Sequence, residues 1–533
     1  MKRVSLLGAA CAIALAAPAH AEGRHKSISP YIELGQTAVA DLSGDDDVLT
    51  YSTVAAGVDA DLHSNRADLQ VSYRYERRIA WSKRLADSDV HSGLARAVVK
   101  VAPGVSLDGG ALATRSRFDI RGAAPVNLAG NVDNISQVYS VYAGPTLATN
   151  AGPVAVNAAY RYGYTKVEAP GATGVAPGAR PLDVFDSAQG HVVTASAGVK
   201  AGDVLPVGVT VSGAYERDTA TQLSQRYEGK YGRGDVVLPV TRTLALRAGA
   251  GYENIKITQK DALLDAGGNP VTDRNGRYVT DQASPRRIAY ETDGLIYDAG
   301  VIWRPSPRTM LTANVGKRYG GTSYTGSFSY APSRSVSFQL GVYDAVTTFG
   351  RQLQDGISRL PTSFIDQRDA FGQQFGGCTF GNTAGSAGGC LNGVFQSISS
   401  SSYRARGVDA ILSANRGPFS YGIGAGYANR KFFAPEGERF SVDGVEDQSY
   451  YAQAYVGAAF DRDSGITADV IANYYKSGIA GSRGIYSEGA TATYYRTFGR
   501  LGATATAGIY NFSQQGLRDR TSAQGQVAMR YQF

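Results

Sequence analysis

The chain has 533 residues, with 65 glycines, 33 tyrosines and three cysteines, and its 53 lysines and arginines against 46 acidic residues give a formal charge of +7. The basic residues are scattered rather than striped, which excludes a nucleic-acid partner. The glycines do not signal disorder, because aromatics make up 10% of the chain. No run reaches ~18 apolar residues, so no helical membrane span is predicted.

In chain order, Lys2 and Arg3 precede an apolar stretch, Val4 to Ala17, and then Ala19-His20-Ala21, an A-x-A cleavage site. This predicts a signal peptide over 1–21 and a mature start at Glu22. Removing Lys2 and Arg3 lowers the formal charge from +7 to +5. Cys11 sits inside the apolar stretch after Gly8-Ala9-Ala10, which is not a Leu-containing lipobox. No linker divides 22–533, which reads as a single domain.

From there the chain alternates. Ala67, Leu69, Val71, Tyr73 and Tyr75 share one face, opposite Asp68, Gln70, Ser72, Arg74 and Glu76. Val154 to Tyr164 and Leu244 to Tyr252 repeat the pattern. Period two with no helical content predicts strands. A mean hydropathy of −0.20 agrees with a membrane barrel, since only alternate residues face lipid. The predicted spans are 27–40, 48–62, 66–83, 89–101, 105–119, 134–147, 152–166, 187–201, 206–217, 222–238 and 243–258. The second half continues with 291–303, 309–320, 323–331, 336–348, 402–414, 418–431, 449–461, 466–479, 484–497, 501–513 and 521–533. The facing of 222–238 is the least defined. The fold class is therefore all-β, an antiparallel up-and-down transmembrane barrel of about 22 strands in a range of roughly 18–24.

Every second connection is short (Ser64-Asn65, Pro103-Gly104, Arg416-Gly417, Gly499-Arg500). The others are often long, notably 259–290 and 349–401. Short periplasmic turns and long outer loops are the asymmetry of outer-membrane barrels. In the first outer loop, Asp45-Asp46-Asp47 reads either as a cation site bridging lipopolysaccharide phosphates or as a solvated tip. Asp273-Arg274-Asn275-Gly276-Arg277 lacks alternating acidic ligands and reads as an Asn-Gly hairpin turn.

Inward-facing candidates carry both signs. The basic ones are Arg74, Arg161, Lys200, Arg247, Arg318 and Arg430; the acidic ones are Asp68, Glu76, Glu253, Asp298 and Asp469. Mixed charge predicts cross-strand pairing rather than an anion ladder. His25, His63, His91 and His191 belong to no nucleophile–base set and there is no Gly-x-Ser-x-Gly, so no catalytic residue, metal site or cofactor is predicted. Cys378 and Cys390 remain after cleavage and are predicted to pair in an oxidising compartment.

A wall of this size encloses a wide lumen, and barrels this large are usually plugged. TonB-dependent receptors carry an N-terminal plug, for which the chain before 27 leaves no room. The 349–401 loop is the expected substitute.

The chain ends on Val527, Met529, Tyr531 and Phe533 on one face. This resembles the C-terminal signature of bacterial outer-membrane proteins, read by the barrel-assembly machinery through Tyr531 and Phe533. The segment Leu295 to Thr309 running into Gly316-Lys317-Arg318-Tyr319-Gly320-Gly321 resembles an uncharacterised barrel family associated with exopolysaccharide and PEP-CTERM (exosortase) gene clusters. That resemblance implies envelope or polysaccharide export and carries over no functional residue.

The expected setting is the outer membrane of a Gram-negative bacterium, with outer-membrane lipid and lipopolysaccharide as partners. The expected function is a porin-like or saccharide-export channel for a polysaccharide or small solute. The alternative is a structural or adhesive surface barrel with a closed lumen and partner-binding outer loops.

Overall fold

A computed structural model describes residues 25–43, 48–81, 87–118, 134–168, 184–365, 368–375, 377–382, 386–437, 442–479, 481–515 and 518–533. The predicted signal peptide with Ala19 and Ala21, and the Asp45-Asp46-Asp47 run, lie outside the described residues.

One antiparallel sheet of 22 strands closes on itself. The first quarter of the ring is β1 (His25–Asp41), β2 (Val48–His63), β3 (Ala67–Ala80), β4 (Ser88–Ala102), β5 (Val105–Arg117) and β6 (Ile135–Ala151). It continues with β7 (Val154–Val167), β8 (Ser187–Val199), β9 (Gly208–Ala220), β10 (Arg226–Pro239), β11 (Leu244–Gln259) and β12 (Arg287–Ser306). Next come β13 (Thr309–Arg318), β14 (Gly321–Ser333) and β15 (Val336–Thr347). There the chain leaves the ring to form helix α1 (Phe349–Arg359) and two short strands, β16 (Cys378–Phe380) and β17 (Gly388–Cys390). It rejoins with β18 (Tyr403–Arg416), β19 (Phe419–Phe432), β20 (Glu446–Ala459), β21 (Ser464–Ser477), β22 (Ile485–Phe498), β23 (Leu501–Gln514) and β24 (Arg520–Gln532).

The predicted strands correspond to these 22 one for one, with ends that differ by at most about four residues. Strand β10 starts four residues later than its predicted span, after a short 3₁₀ turn at Gln222–Ser224. Glycines at 229, 232 and 234 strip side chains from both of its faces, which is why alternation read it poorly. β1 pairs with β24, Glu33 opposite Arg530, and an ion pair of 2.9 Å between them stitches the seam.

Two-residue hairpins join β18 to β19 and β22 to β23, where Gly417 (φ 59°) and Gly499 (φ 65°) occupy the left-handed region that tight turns require. Both of these turns fall on the rim that also holds both chain ends, whereas the two-residue turn Tyr319-Gly320 between β13 and β14 lies on the long-loop rim.

The outer face of the ring is apolar. Leu295 is 75% exposed and Val527 60%, while Gln526 beside Val527 is buried inside. A closed sheet leaves no second layer to cover such residues, so hydrocarbon covers them. Trp303, Phe419, Phe498, Tyr531 and Phe533 are exposed near the short-turn rim, and Tyr160, Tyr162 and Tyr164 further up β7. Aromatic side chains with a wet and a dry end settle at membrane–water boundaries. The barrel spans the outer membrane.

The ring departs from a plain cylinder at two places on the long-loop side. β5 pairs with β4 only as far as Gly93↔Ala113, yet with β6 up to Arg117↔Ile135. β15 pairs with β14 only from Val342 downward, yet with β18 up to Thr347↔Tyr403. In both, the upper end of a hairpin is free of the ring ladder on one edge.

Candidate functional site

The segment between β15 and β18 lies in the lumen. Its start is a helix, which period-two reading did not anticipate. The local cause is plain in hindsight: Thr348 is an N-cap whose hydroxyl oxygen accepts from the Arg351 N–H, and Phe349, Leu353 and Ile357 recur every four residues. That apolar stripe packs on Leu94, Leu112, Val138, Tyr142 and Ala188 of the wall. Leu353 and Ile357 are fully buried there.

Polar contacts pin the helix on either side of the stripe. Arg351 pairs with Glu216, and the Thr348 hydroxyl donates to Asp218 at 3.1 Å, both carboxylates on β9. Asp355 pairs with Arg161 of β7. At the helix C-terminus the guanidinium of Arg96 donates to the carbonyls of Ser358 and Leu360 at 3.0 and 3.1 Å. Those are end carbonyls with no partner within the helix, so a cation on the wall satisfies them.

After the helix the chain crosses the lumen. The Gln70 side chain both donates to the Phe364 carbonyl (2.9 Å) and accepts from its N–H (2.6 Å), acting as a one-residue strand partner. Thr114 donates to the Phe375 carbonyl at 2.7 Å, and the Arg115 N–H, freed where β5 leaves β4, donates to Gln374. Phe371 packs between Tyr51 and Tyr510. Burial pushes the carboxyl of Asp369 up, against the lowering effect of the Gln374 and Gly372 amides.

Cys378 and Cys390 face each other across β16 and β17 and form a disulfide. The hairpin sits against β18–β20, held by Gln453 accepting from the Cys378 N–H (2.8 Å) and by Ser413 donating to the Gly381 carbonyl (3.0 Å). The wall is hollowed to receive it: a Cβ at Gly424 would collide with the Cys378 sulfur, and one at Gly422 with the Phe380 ring. On the helix side, Gly163 makes the same room for the Gln354 amide. The segment then returns past Arg430, whose guanidinium donates to the Ser397 carbonyl and hydroxyl at 2.9 and 2.7 Å.

The predicted lumen residues are placed as follows. Arg74 is buried between Glu33 (2.9 Å) and Glu76 (2.8 Å), and Glu76 also holds Arg78. Arg247 pairs with Asp235, which also holds Arg233, and Arg233 reaches Asp298 at 2.8 Å. Arg318 pairs with Glu253 (2.8 Å) and Arg430 with Asp447 (2.6 Å). Asp68 meets His63 at 3.2 Å near the short-turn rim. Asp469 lines a cavity beside the segment. Lys200 is a correction: β8 stops at Val199, and Lys200 is exposed in the turn beyond it, outside the wall. Its parity is inward, but the strand ends first.

Two residues that alternation places wrongly are Arg115 and Arg117. They share the parity of Leu107, which is 48% exposed on the lipid face. Yet the Arg117 guanidinium lies 4.6 Å over the ring of Tyr475, across the lumen. The signal was available: two guanidiniums two residues apart on the parity of Leu107 depart from the apolar pattern of the lipid face.

Away from the lumen, His91 and His191 lie on the outer face, hydrogen-bonded to the hydroxyls of Tyr73 (2.8 Å) and Tyr160 (2.9 Å). Among the described residues no group of three or more His, Cys, Asp or Glu is placed to hold a metal ion. In the 260–286 connection the amides of Asn269 and Gly267 hold the Asp265 carboxyl below its usual range.

The barrel overlaps solved outer-membrane receptors. The siderophore receptor PiuA from Acinetobacter baumannii is 9% identical, with 94% of this chain and 82% of that one covered and a TM-score of 0.41. The FrpB iron transporter from Neisseria meningitidis is 10% identical, with 94% and 81% covered and a TM-score of 0.42. The alcaligin receptor FauA from Bordetella pertussis is 11% identical, with 94% and 76% covered and a TM-score of 0.39. Values this low transfer no ligand or role to this chain. No protein-family model and no curated protein matches the sequence.

Proposed function

We propose that this barrel is a constricted solute channel of the outer membrane, with the 349–401 segment as its constriction. One observation carries the reading. The segment is held across the lumen by two separate dockings, helix against β4–β8 and disulfide hairpin against β18–β20, and a cavity remains between it and β20–β23. A segment meant only to seal would leave no such gap. The solute passes a wall of paired charges, and the cavity sets what is admitted. An extended saccharide suits a lining rich in amides and hydroxyls, in keeping with the hairpin resemblance at Leu295 to Gly321.

The test is single-channel conductance in planar bilayers of the whole chain and of a deletion of 365–395. The expected result is a small conductance that rises several-fold on deletion. Equal conductance in the two would sink the constriction.

A second reading has its own support. The 260–286 connection forms an ordered ledge, with bridges Ala262↔Thr280, Leu264↔Pro270 and Thr272↔Tyr278, on the long-loop rim where a surface partner would meet it. In that reading the barrel is a closed structural or adhesive body, and neither protein conducts.

A further inference from the structure

On the lumen face of the wall, cations and carboxylates pair. The short-turn rim does not follow that rule. From β10 to β23, six successive connections on this rim each hold an exposed arginine, in the turn or on the strand end beside it: Arg242, Arg308, Arg334, Arg416, Arg462 and Arg500. Two carboxylates share these turns, Asp461 and Asp463, both next to Arg462. Four positive charges remain in excess, out of the +5 that the chain carries once the predicted signal peptide is removed. Among the described residues none of the six arginines is paired with a carboxylate; Arg308 donates at 2.7 Å to the Pro332 carbonyl of β14, a neutral partner.

A second observation is the order of residues along the barrel axis. Phe419 pairs with Arg416 across the β18–β19 turn, Phe460 lies two residues before Arg462, and Phe498 two before Arg500. All three rings are exposed on the outer face, at 52%, 63% and 57%. The Arg496 guanidinium lies 5.3 Å over the Phe498 ring on that same face. Aromatic rings mark the boundary between hydrocarbon and headgroups. The arginines at the turns just beyond are therefore level with the lipid phosphates. The arc is also too wide for one small ligand: at ~4.8 Å per strand it runs for roughly 50 Å along the sheet. What surrounds an arc of that length on its outer side is a leaflet, and short turns face the periplasm.

We propose that this arc is a docking surface for anionic phospholipid of the periplasmic leaflet, with phosphates on the guanidiniums and acyl chains against Phe419, Phe460 and Phe498. Arginine–phosphate hydrogen bonds are charge-assisted and frequently bidentate. Each basic residue near an anionic surface strengthens the attraction about fivefold. The assignment goes beyond the channel reading and holds whether or not the barrel conducts.

The experiment places the whole chain in nanodiscs of phosphatidylethanolamine with a minority of phosphatidylglycerol. Native mass spectrometry then counts the lipids that stay on the released barrel. Phosphatidylglycerol is expected to be enriched at least about threefold over its share of the disc. The triple variant Arg334→Gln, Arg416→Gln, Arg500→Gln is expected to lose most of that enrichment. These side chains are exposed, and heat-modifiable gel mobility checks that the variant remains a folded barrel. Lys256→Gln, which removes an exposed cation paired with Glu291 at the long-loop end of the wall, is expected to change nothing. No enrichment on the unaltered barrel, full enrichment on the triple variant, or an equal loss in Lys256→Gln would each overturn the assignment. If the triple variant keeps the lipid and instead loses binding to polygalacturonate, the arc serves a soluble polyanion and the lipid assignment falls.

Discussion

The lumen segment rests on two stretches of wall, and they hold it in different ways. β4–β8 offers bulk: leucine, valine and tyrosine meet the stripe of α1, and charges on either side lock its rotation. β18–β20 offers absence: Gly422 and Gly424 clear a recess that the disulfide hairpin fills. The first docking is driven by apolar burial and tolerates small shape changes. The second depends on fit, since a Cβ at Gly422 or Gly424 would collide with the disulfide hairpin.

The sharpest way to break that contrast is to charge the helix stripe. Leu353→Asp places a carboxylate where Leu353 is fully buried, at an expected cost of about 3–5 kcal/mol to the helix docking. The barrel hydrogen bonds are untouched, so the thermal unfolding of the ring should move little while bilayer conductance rises several-fold. A collapse of the ring itself would mean that the segment is part of the wall's core rather than a guest in it.

Removing the disulfide acts on the other side. The pair Cys378→Ser with Cys390→Ser opens a link that spans 12 residues, worth about 3 kcal/mol in the chain-entropy picture. The loss is confined to the hairpin. Limited proteolysis should cut within 380–390 while α1 stays protected. Equal exposure of helix and hairpin would show the two dockings to be one.

Gly424→Ala probes fit without touching a cystine. The added methyl meets the Cys378 sulfur, and overpacking of this kind costs about 1–3 kcal/mol. The same change at Gly525, which has open space around it, should cost far less, and the difference in unfolding midpoint measures how closely the recess is cut.

How much of this was legible in the residues follows the same division. The wall obeys one local rule, a side chain in and a side chain out, so Tyr73 beside Arg74 or Val527 beside Gln526 declares its face with no knowledge of its neighbours. The lumen segment obeys no such rule. Its helix was readable from Thr348, Phe349, Leu353 and Ile357, but four positions in a Gly- and Ser-rich stretch are outweighed when every flanking segment has period two. Gln70 and Gln453 look like ordinary lumen polars until the backbone they bond is placed beside them. At Arg115 and Arg117 the rule set two guanidiniums on the parity of Leu107, and there the wall bends.

The smallest effect tests the hinge of the helix docking. Thr348 is the first residue after β15, and its side-chain oxygen does two jobs: it accepts from the Arg351 N–H and donates its proton to Asp218 on β9. Thr348→Ala removes a cap worth about 1 kcal/mol and leaves Asp218 with Arg351 as its partner at 3.7 Å. The helix stripe and Asp355 still hold the rest of α1, so the expected change is in kinetics rather than in state: mean conductance close to that of the unaltered barrel, with more frequent brief openings. Thr348→Ser keeps both bonds and should restore the quiet trace. If Ala and Ser behave alike, the first turn is already loose, and the helix is held from its Arg96 end instead.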